Sequence, residues 1–319
     1  MTTWQYTKGL HDLGNGCHAY LQPEGSWGWS NAGLISDSGE TLLVDTLMDL
    51  KLTRDMLETM RRAVPEAATI GTLINTHANP DHTFGNQLLQ GTTIIASAAT
   101  AEEMLETQPQ MLAAMEKNWQ VMGEGAAFFH ETMGKHFRFD DVVLTLPTRT
   151  FDRELRLSIG TKTIQLVNVG PAHTGGDTMV HVPADRTVFT GDILFVGGHP
   201  VMWAGPIDNW IKACEQILAW DVETIVPGHG PICGKSDVRR FKTYLEDMKR
   251  EARKRYDAGM NWLDAANDIA LDAYRDWIDS ERIVANVAAL YREFSGGEEK
   301  RNIVEIFAAM GRYRRERGR

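Results

Sequence analysis

The chain has 319 residues, 43% hydrophobic and 24% charged, an ordinary composition for a folded protein long enough to bury a sizeable core. Its net charge of −10 and pI of about 5.5 leave no basic footprint for a nucleic acid. Three cysteines without a CxxC pair, an N-terminus lacking an apolar segment and no run of membrane-spanning length predict a cytoplasmic protein without disulfides, signal peptide or membrane anchor.

Cys17–Leu21 reads as a strand. Asn31–Ile35 and Thr41–Val44 flank the turn Asp37-Ser38-Gly39-Glu40 and read as a hairpin. Leu50–Ala63 places Leu52, Met56, Leu57 and Met60 at helical spacing and stops before Pro65. Thr69–Ile74 reads as a strand, Thr83–Leu89 as a short helix and Thr93–Ala96 as a strand. From Ala98 to about His136 the pattern is helical and Met-rich, with Gly123 and Gly125 expected to break it. Strand-type runs return at Glu154–Ile159, Thr163–Val167, Thr178–Val182 and Thr187–Phe189, followed by a helix over Asp208–Leu218 and a last strand over Glu223–Val226. Beyond Ser236 the pattern is helical: Val238–Tyr256, Trp262–Ala273, Ser280–Phe294 and a helix near Ile303–Met310, with a basic tail, Arg312–Arg319, expected to fray. Strands and helices thus alternate through two halves and helices follow. The expectation is a layered α/β domain over residues 1–235, with a helical insert at about 98–137, and a C-terminal helical region over 236–319.

The chemistry-bearing residues gather at the ends of the strand-like runs. Thr76-His77-Ala78-Asn79-Pro80-Asp81-His82 follows an apolar, β-branched run and sets three metal-competent side chains within six residues. Gly170-Pro171-Ala172-His173-Thr174-Gly175-Gly176-Asp177, Phe189-Thr190-Gly191-Asp192 and Pro227-Gly228-His229-Gly230 each place a His or Asp beside another such run. Imidazoles and carboxylates converging from several strand ends are what a catalytic zinc-type site needs.

In order and local context these segments resemble the metallo-β-lactamase superfamily, with its His-x-His-x-Asp-His loop, its Gly-x-x-His-Thr-x-Gly-Asp segment, its strand-end Asp and its Gly-His-Gly, across residues 13–230. The resemblance implies a four-layer αβ/βα sandwich with metals at one edge of two facing sheets. It implies one metal on His77 and His173, a second on Asp81, His82 and His229, and Asp192 bridging them. A bridging water or hydroxide would be the nucleophile, acidified by the metals and oriented by Asp81. No Ser or Cys nucleophile is needed, and the chain has no Gly-x-Ser-x-Gly elbow. The implied activity is hydrolysis of an ester, lactone, thioester or amide of a small molecule. The implied cofactor is zinc, one or two ions per chain, with iron or manganese as alternatives; a homodimer is left open.

The departure is Asn79, where the family has its second His. An amide oxygen is a harder and weaker donor than imidazole. Three readings follow: two metals with the first loosely held, one metal on Asp81, His82 and His229, or a preference for iron or manganese. Pro80 biases Asn79 toward extended backbone. An iron-containing redox protein on the same scaffold and a binding protein with weakened catalysis are the competing classes.

Asp45, after Thr41–Val44, reads equally as a buried turn carboxylate and as an acceptor for a ligand His. The loop Gln22–Trp29 offers Trp27 as an aromatic over the substrate or as a Trp packed in a turn. His199 and Trp203, in the segment after Asp192, are further candidates to line substrate, with a simple loop His as the plain alternative for His199. Asp177 is read as capping its turn. His11, His18, His130, His136 and His181 lack such context and are read as structural or surface residues, and the Met-rich helical stretch as packing surface.

Overall fold

The structure, a computed structural model, describes residues 4–270, 272–297 and 302–317. Strands β1 (Gly9–Gly14), β2 (Cys17–Leu21), β3 (Ala32–Asp37), β4 (Glu40–Val44), β5 (Thr72–Ile74), β6 (Thr93–Ser97) and β7 (Arg149–Phe151) lie in that order in a seven-stranded sheet. Strands β8 (Glu154–Ile159), β9 (Lys162–Asn168), β10 (Thr178–Val182), β11 (Thr187–Phe189) and β12 (Thr224–Val226) form a five-stranded sheet of order β12-β11-β10-β9-β8. The helices are α1 (Leu50–Ala63), α2 (Pro80–Thr83), α3 (Ala98–Glu103), α4 (Pro109–Asn118), α5 (Glu124–Phe129), α6 (Ile207–Ala219), α7 (Lys235–Asp257), α8 (Trp262–Asp268), α9 (Arg282–Phe294) and α10 (Ile303–Arg317).

The alternation of side chains along each strand builds the layers. Cys17, Ala19, Leu21, Ile35, Leu42, Val44, Ile74 and Ile95 of the first sheet share a core with Ile164, Leu166, Val180, Val182, Phe189 and Val226 of the second. Tyr20, Leu34, Leu43, Leu73 and Ile94 point the other way and pack on Met56, Leu57 and Met60 of α1. Behind the second sheet, Met179, Val188 and Ile225 share a core with Trp210, Cys214 and Ile217 of α6 and Phe241 of α7. The result is the αβ/βα sandwich with the helices of the C-terminal region packed on its second half. Strands β4, β5 and β6 run parallel, as do β11 and β12, so their C-terminal ends bring the loops that follow them to one edge.

Several boundaries differ from the sequence expectation. The strand expected from Thr69 starts at Thr72, because Pro65–Ala68 forms a 3-10 turn and Thr69 O accepts from the Thr41 hydroxyl instead of a ladder partner. No continuous helix spans Thr83–Leu89: α2 lies earlier and ends at Thr83, and a 3-10 turn follows at Asn86–Leu88. Gly123, at φ 83°, breaks the insert as expected, but Gly125 lies inside α5 and breaks nothing; His130–Gly134 closes the insert as a π-turn. The helix expected over Trp262–Ala273 ends at Asp268, with a separate 3-10 turn at Asp272–Tyr274; residue 271 lies outside the described residues. The basic tail does not fray over its described part. Helix α10 runs to Arg317, since Tyr313 is buried and both Arg312 and Arg315 pair with Glu124 at the start of α5. Among the described residues no helix is long and apolar enough to cross a membrane, and the three cysteines are free.

Candidate metal centre

Each candidate ligand sits just past a strand end. Asn79 takes φ −62° and ψ 144°, the extended conformation Pro80 demands, and α2 starts at Pro80, where a missing N–H costs the helix nothing. Asn79 O accepts from His82 N and from the Thr83 hydroxyl, both at 3.0 Å, and its side chain makes no capping bond. This single turn presents Asp81 and His82 on the same side as His77. His173 lies in the loop between β9 and β10, where buried Asp177 accepts from Ala172 N, Thr174 N and the Thr174 hydroxyl at 2.8 to 3.1 Å. Asp192 follows β11, and His229 follows β12. Two glycines permit the close approach of these loops. A Cβ at Gly228 would fall 1.9 Å from Asp192 Oδ1, and one at Gly191, at φ 51°, would meet Thr76 Oγ1 at 2.5 Å.

Asp192 is central. One or other of its carboxylate oxygens lies 3.7 Å from His77 Nε2, 3.2 Å from His82 Nε2, 3.3 Å from His173 Nε2 and 3.3 Å from His229 Nε2. Asp81 Oδ2 lies 3.3 Å from His229 Nε2 and 3.7 Å from His82 Nε2. Donor atoms of His77, His82 and Asp192 lie within 4.8 Å of one another, as do those of Asp81, His82 and His229.

The opposite ring nitrogens are all engaged. His82 Nδ1 meets Asp45 at 2.9 Å, His173 Nδ1 meets Val201 O at 2.6 Å, His229 Nδ1 meets Trp29 O at 3.1 Å, and His77 Nδ1 meets Thr76 Oγ1 at 3.0 Å. A proton on Nδ1 of His82, His173 and His229 leaves the Nε2 lone pairs facing Asp192. His229 also stacks on Phe195, with centroids 5.0 Å apart and planes at 6°.

Without an ion this arrangement is costly. The Nε2 atoms of His77, His82 and His173 and Asp192 Oδ1 are buried with no hydrogen-bond partner. Burial opposes charge on His82, yet Asp192, Asp81 and Asp45 outweigh it and hold its pKa well above the ordinary histidine value. His229 is pushed up to about 9, burial again opposing and Asp192 and Asp81 prevailing. Burial, with the charge of His82, pushes the pKa of His77 well below the ordinary histidine value and lowers that of His173. Against burial, the surrounding imidazoles hold Asp192 well below the usual carboxylate range and bring Asp81 to about 2. The two carboxylates thus raise the pKa of two of the four imidazoles, His82 and His229, while burial lowers that of the other two. Four imidazoles and two carboxylates, with the inward nitrogens of His77, His82 and His173 and one Asp192 oxygen unpartnered, fit one or two divalent ions.

The residues expected to line substrate fare differently. Trp27 is not an exposed lid: it is 5% exposed, donates from Nε1 to Glu281 at 3.0 Å and packs on Phe128, Trp203 and Phe307. His199 is fully buried, with Nδ1 3.1 Å from the Tyr244 hydroxyl, so it cannot touch a substrate as placed. Trp203 keeps partial exposure, and its backbone N–H donates to His173 O at 2.9 Å. Asp45 is buried and accepts from His82, a candidate ligand. The sequence reading did not find Trp29, Phe195 or Val201, since carbonyls and aromatic faces leave no motif.

The sequence profile of the metallo-beta-lactamase superfamily matches residues 25–229. The α subunit of 2,4-dinitroanisole O-demethylase from Nocardioides sp. (strain JS1661) is 28% identical over 138 residues, which are 41% of this chain and 35% of that protein. Hydroxyacylglutathione hydrolase from Erythrobacter litoralis (strain HTCC2594) is 26% identical over 190 residues, 60% of this chain and 57% of that one. The stereoselective inverting sec-alkylsulfatase Pisa1 from Pseudomonas sp. superposes with a TM-score of 0.67 at 15% identity, over 92% of this chain and 51% of the sulfatase, so the shared fold takes in most of the C-terminal helices as well. The chain thus spans between about a third and just over half of the length of these relatives. With the profile covering more than half of its residues and the metal-competent cluster at the sheet edge, the chain belongs to the metallo-β-lactamase superfamily.

Proposed function

We propose that this protein is a metal-dependent hydrolase, zinc being its resident ion, that splits an ester, lactone, thioester or amide bond of a small molecule. The observation that carries the reading is the set of unpartnered, buried Nε2 atoms of His77, His82 and His173 turned toward Asp192. On this reading His77 and His173 hold one ion, with Asn79 contributing at most a weak oxygen; Asp81, His82 and His229 hold the other; and Asp192 lies between. A bound divalent ion supplies Lewis acidity to the scissile group and lowers the pKa of water toward neutrality. Asp81, whose Oδ2 lies beside His229 Nε2, would orient the attacking water and hold its proton. Burial of the ligand set excludes bulk water and strengthens each of these interactions. Trp203 is the partly exposed aromatic available to line the substrate. The hydrolase and sulfatase names among the relatives support bond cleavage by water.

An iron-containing redox centre is the second reading, favoured by the harder oxygen donor of Asn79. One experiment separates the two. Elemental analysis of the purified protein is paired with a panel of lactone, thioester, ester and β-lactam substrates, assayed with and without a chelator. Zinc content with chelator-sensitive hydrolysis supports the first reading. Iron as the native ion, with no hydrolysis of any substrate, favours the second.

A further inference from the structure

One face of α9 grips the segment that steers a metal-ligand candidate. Arg282, Asn286 and Glu293, with neighbouring Arg292, meet the backbone of residues 199–207 in register. Arg282 Nη1 donates to His199 O at 2.9 Å, and Asn286 Nδ2 donates to Pro200 O at 2.9 Å while its Oδ1 accepts from Met202 N at 2.8 Å. Arg292 donates to Trp203 O and Ala204 O at 3.1 and 2.6 Å, and Glu293 accepts from Ile207 N at 3.0 Å. The same segment turns its other groups to the centre. Val201 O meets His173 Nδ1 at 2.6 Å, and the N–H groups of Trp203 and Ala204 donate to His173 O at 2.9 and 3.1 Å.

Asn286 holds the peptide groups on both sides of Val201. A carboxamide donates and accepts at once, so a single side chain can fix the C=O before Val201 and the N–H after it. With both flanks held, the Val201 carbonyl has one direction, toward His173. That carbonyl requires the proton on Nδ1 and thereby keeps the Nε2 lone pair free toward Asp192. All the groups are buried: Asn286 is 4% exposed, Val201 4% and His173 0%. Water cannot substitute for a lost bond without entering the core.

We propose that Asn286 is a positioning residue for the metal centre, acting through Val201 on the imidazole of His173, so that the C-terminal helical region sets how tightly the His77 and His173 side binds its ion. The inference rests on the metal-centre reading above. Asn286→Leu keeps the approximate volume and removes both bonds, together with the longer one from Asn286 Nδ2 to the Tyr244 hydroxyl at 3.4 Å. Zinc affinity is measured by chelator competition, and the cobalt-substituted protein gives an absorption spectrum sensitive to ligand geometry. Asn286→Leu weakens the looser of the wild-type affinities by about ten- to a hundredfold, the range for losing a partner behind a metal ligand, and alters the cobalt spectrum. Val287→Ala, which removes buried volume from the same helix without touching a hydrogen bond, lowers the melting temperature and leaves both readouts as in the wild type. If Asn286→Leu does not accumulate folded, Asn286→Ser, too short to reach both peptide groups, takes the same test with the same expectation. Zinc affinities and a cobalt spectrum equal to wild type in the folded variant overturn the inference alone. A wild-type protein that takes up no zinc or cobalt overturns the metal reading and this inference with it.

Discussion

His82 Nδ1 and Asp45 Oδ2 lie 2.9 Å apart, and Asp45 reaches that position from a left-handed backbone at φ 62°. The same carboxylate accepts from Thr76 N and Thr76 Oγ1, each at 2.7 Å, so it fixes both the ring of His82 and the start of the loop that bears His77. Asp45→Asn keeps the shape and tolerates the left-handed backbone, but it exchanges an anionic acceptor for an amide. Metal affinity should fall by about ten- to a hundredfold. Competition with a chelator checks this, and an unchanged affinity would show that Asp45 is only a turn residue.

Asp177 organises the loop that carries His173 by accepting from Ala172 and Thr174. Asp177→Ala leaves Thr174 N and the Thr174 hydroxyl buried without a partner and should destabilise the fold by about 2–4 kcal/mol. Urea denaturation measures it. A midpoint within error of wild type would mean that the loop finds other acceptors.

The four segments that bear the candidate ligands were legible because metal-competent side chains are rare and their strand-end contexts repeat. The buried runs of β2, β4, β6, β10 and β11 were legible for a related reason: β-branched and apolar stretches bounded by turns have few other solutions. Gly9–Gly14 and Arg149–Phe151 escaped notice because they are edge strands, one with glycines at both ends and the other three residues long, and neighbouring strands rather than local pattern hold them. The end of α10 was missed because its stability comes from Glu124 and α5, far away in sequence. Trp27 suited a turn slightly better than a lid; its pairing with Glu281 and its packing on Phe307 decided the matter, and neither partner is local. The grip of Asn286 on the residues around Val201 was invisible for the same reason.

Asn79 is the position where the chain leaves the family pattern. Asn79→His replaces a weak oxygen donor with imidazole and should tighten the looser ion, raising metal content toward two per chain at low free zinc. Turnover need not rise, because a tighter site also holds product more firmly. Chelator titration reports the change; an identical titration would mean that residue 79 does not face the metals.

Protons compete with metal in this centre. His229, with its pKa raised to about 9, is protonated at neutral pH when no ion is bound, and an ion needs the neutral ring. Raising the pH removes the competitor, so apparent affinity should climb with pH through the range around 9 where His229 loses its proton. At about pH 7.5, zinc binding should release protons. Calorimetry in buffers of different ionisation enthalpy counts them, and binding without proton release would contradict the electrostatics of the cluster.

The most direct test follows metal content and hydrolysis together in the wild type, Asp81→Ala and His229→Ala. The wild type should contain zinc, lose hydrolysis when stripped and regain it when zinc is returned. Each variant lacks a donor that the ion and its water need, so both should lose the tighter ion and the activity. Wild-type turnover in both variants with unchanged metal content, or full activity in the stripped wild type, would contradict the account.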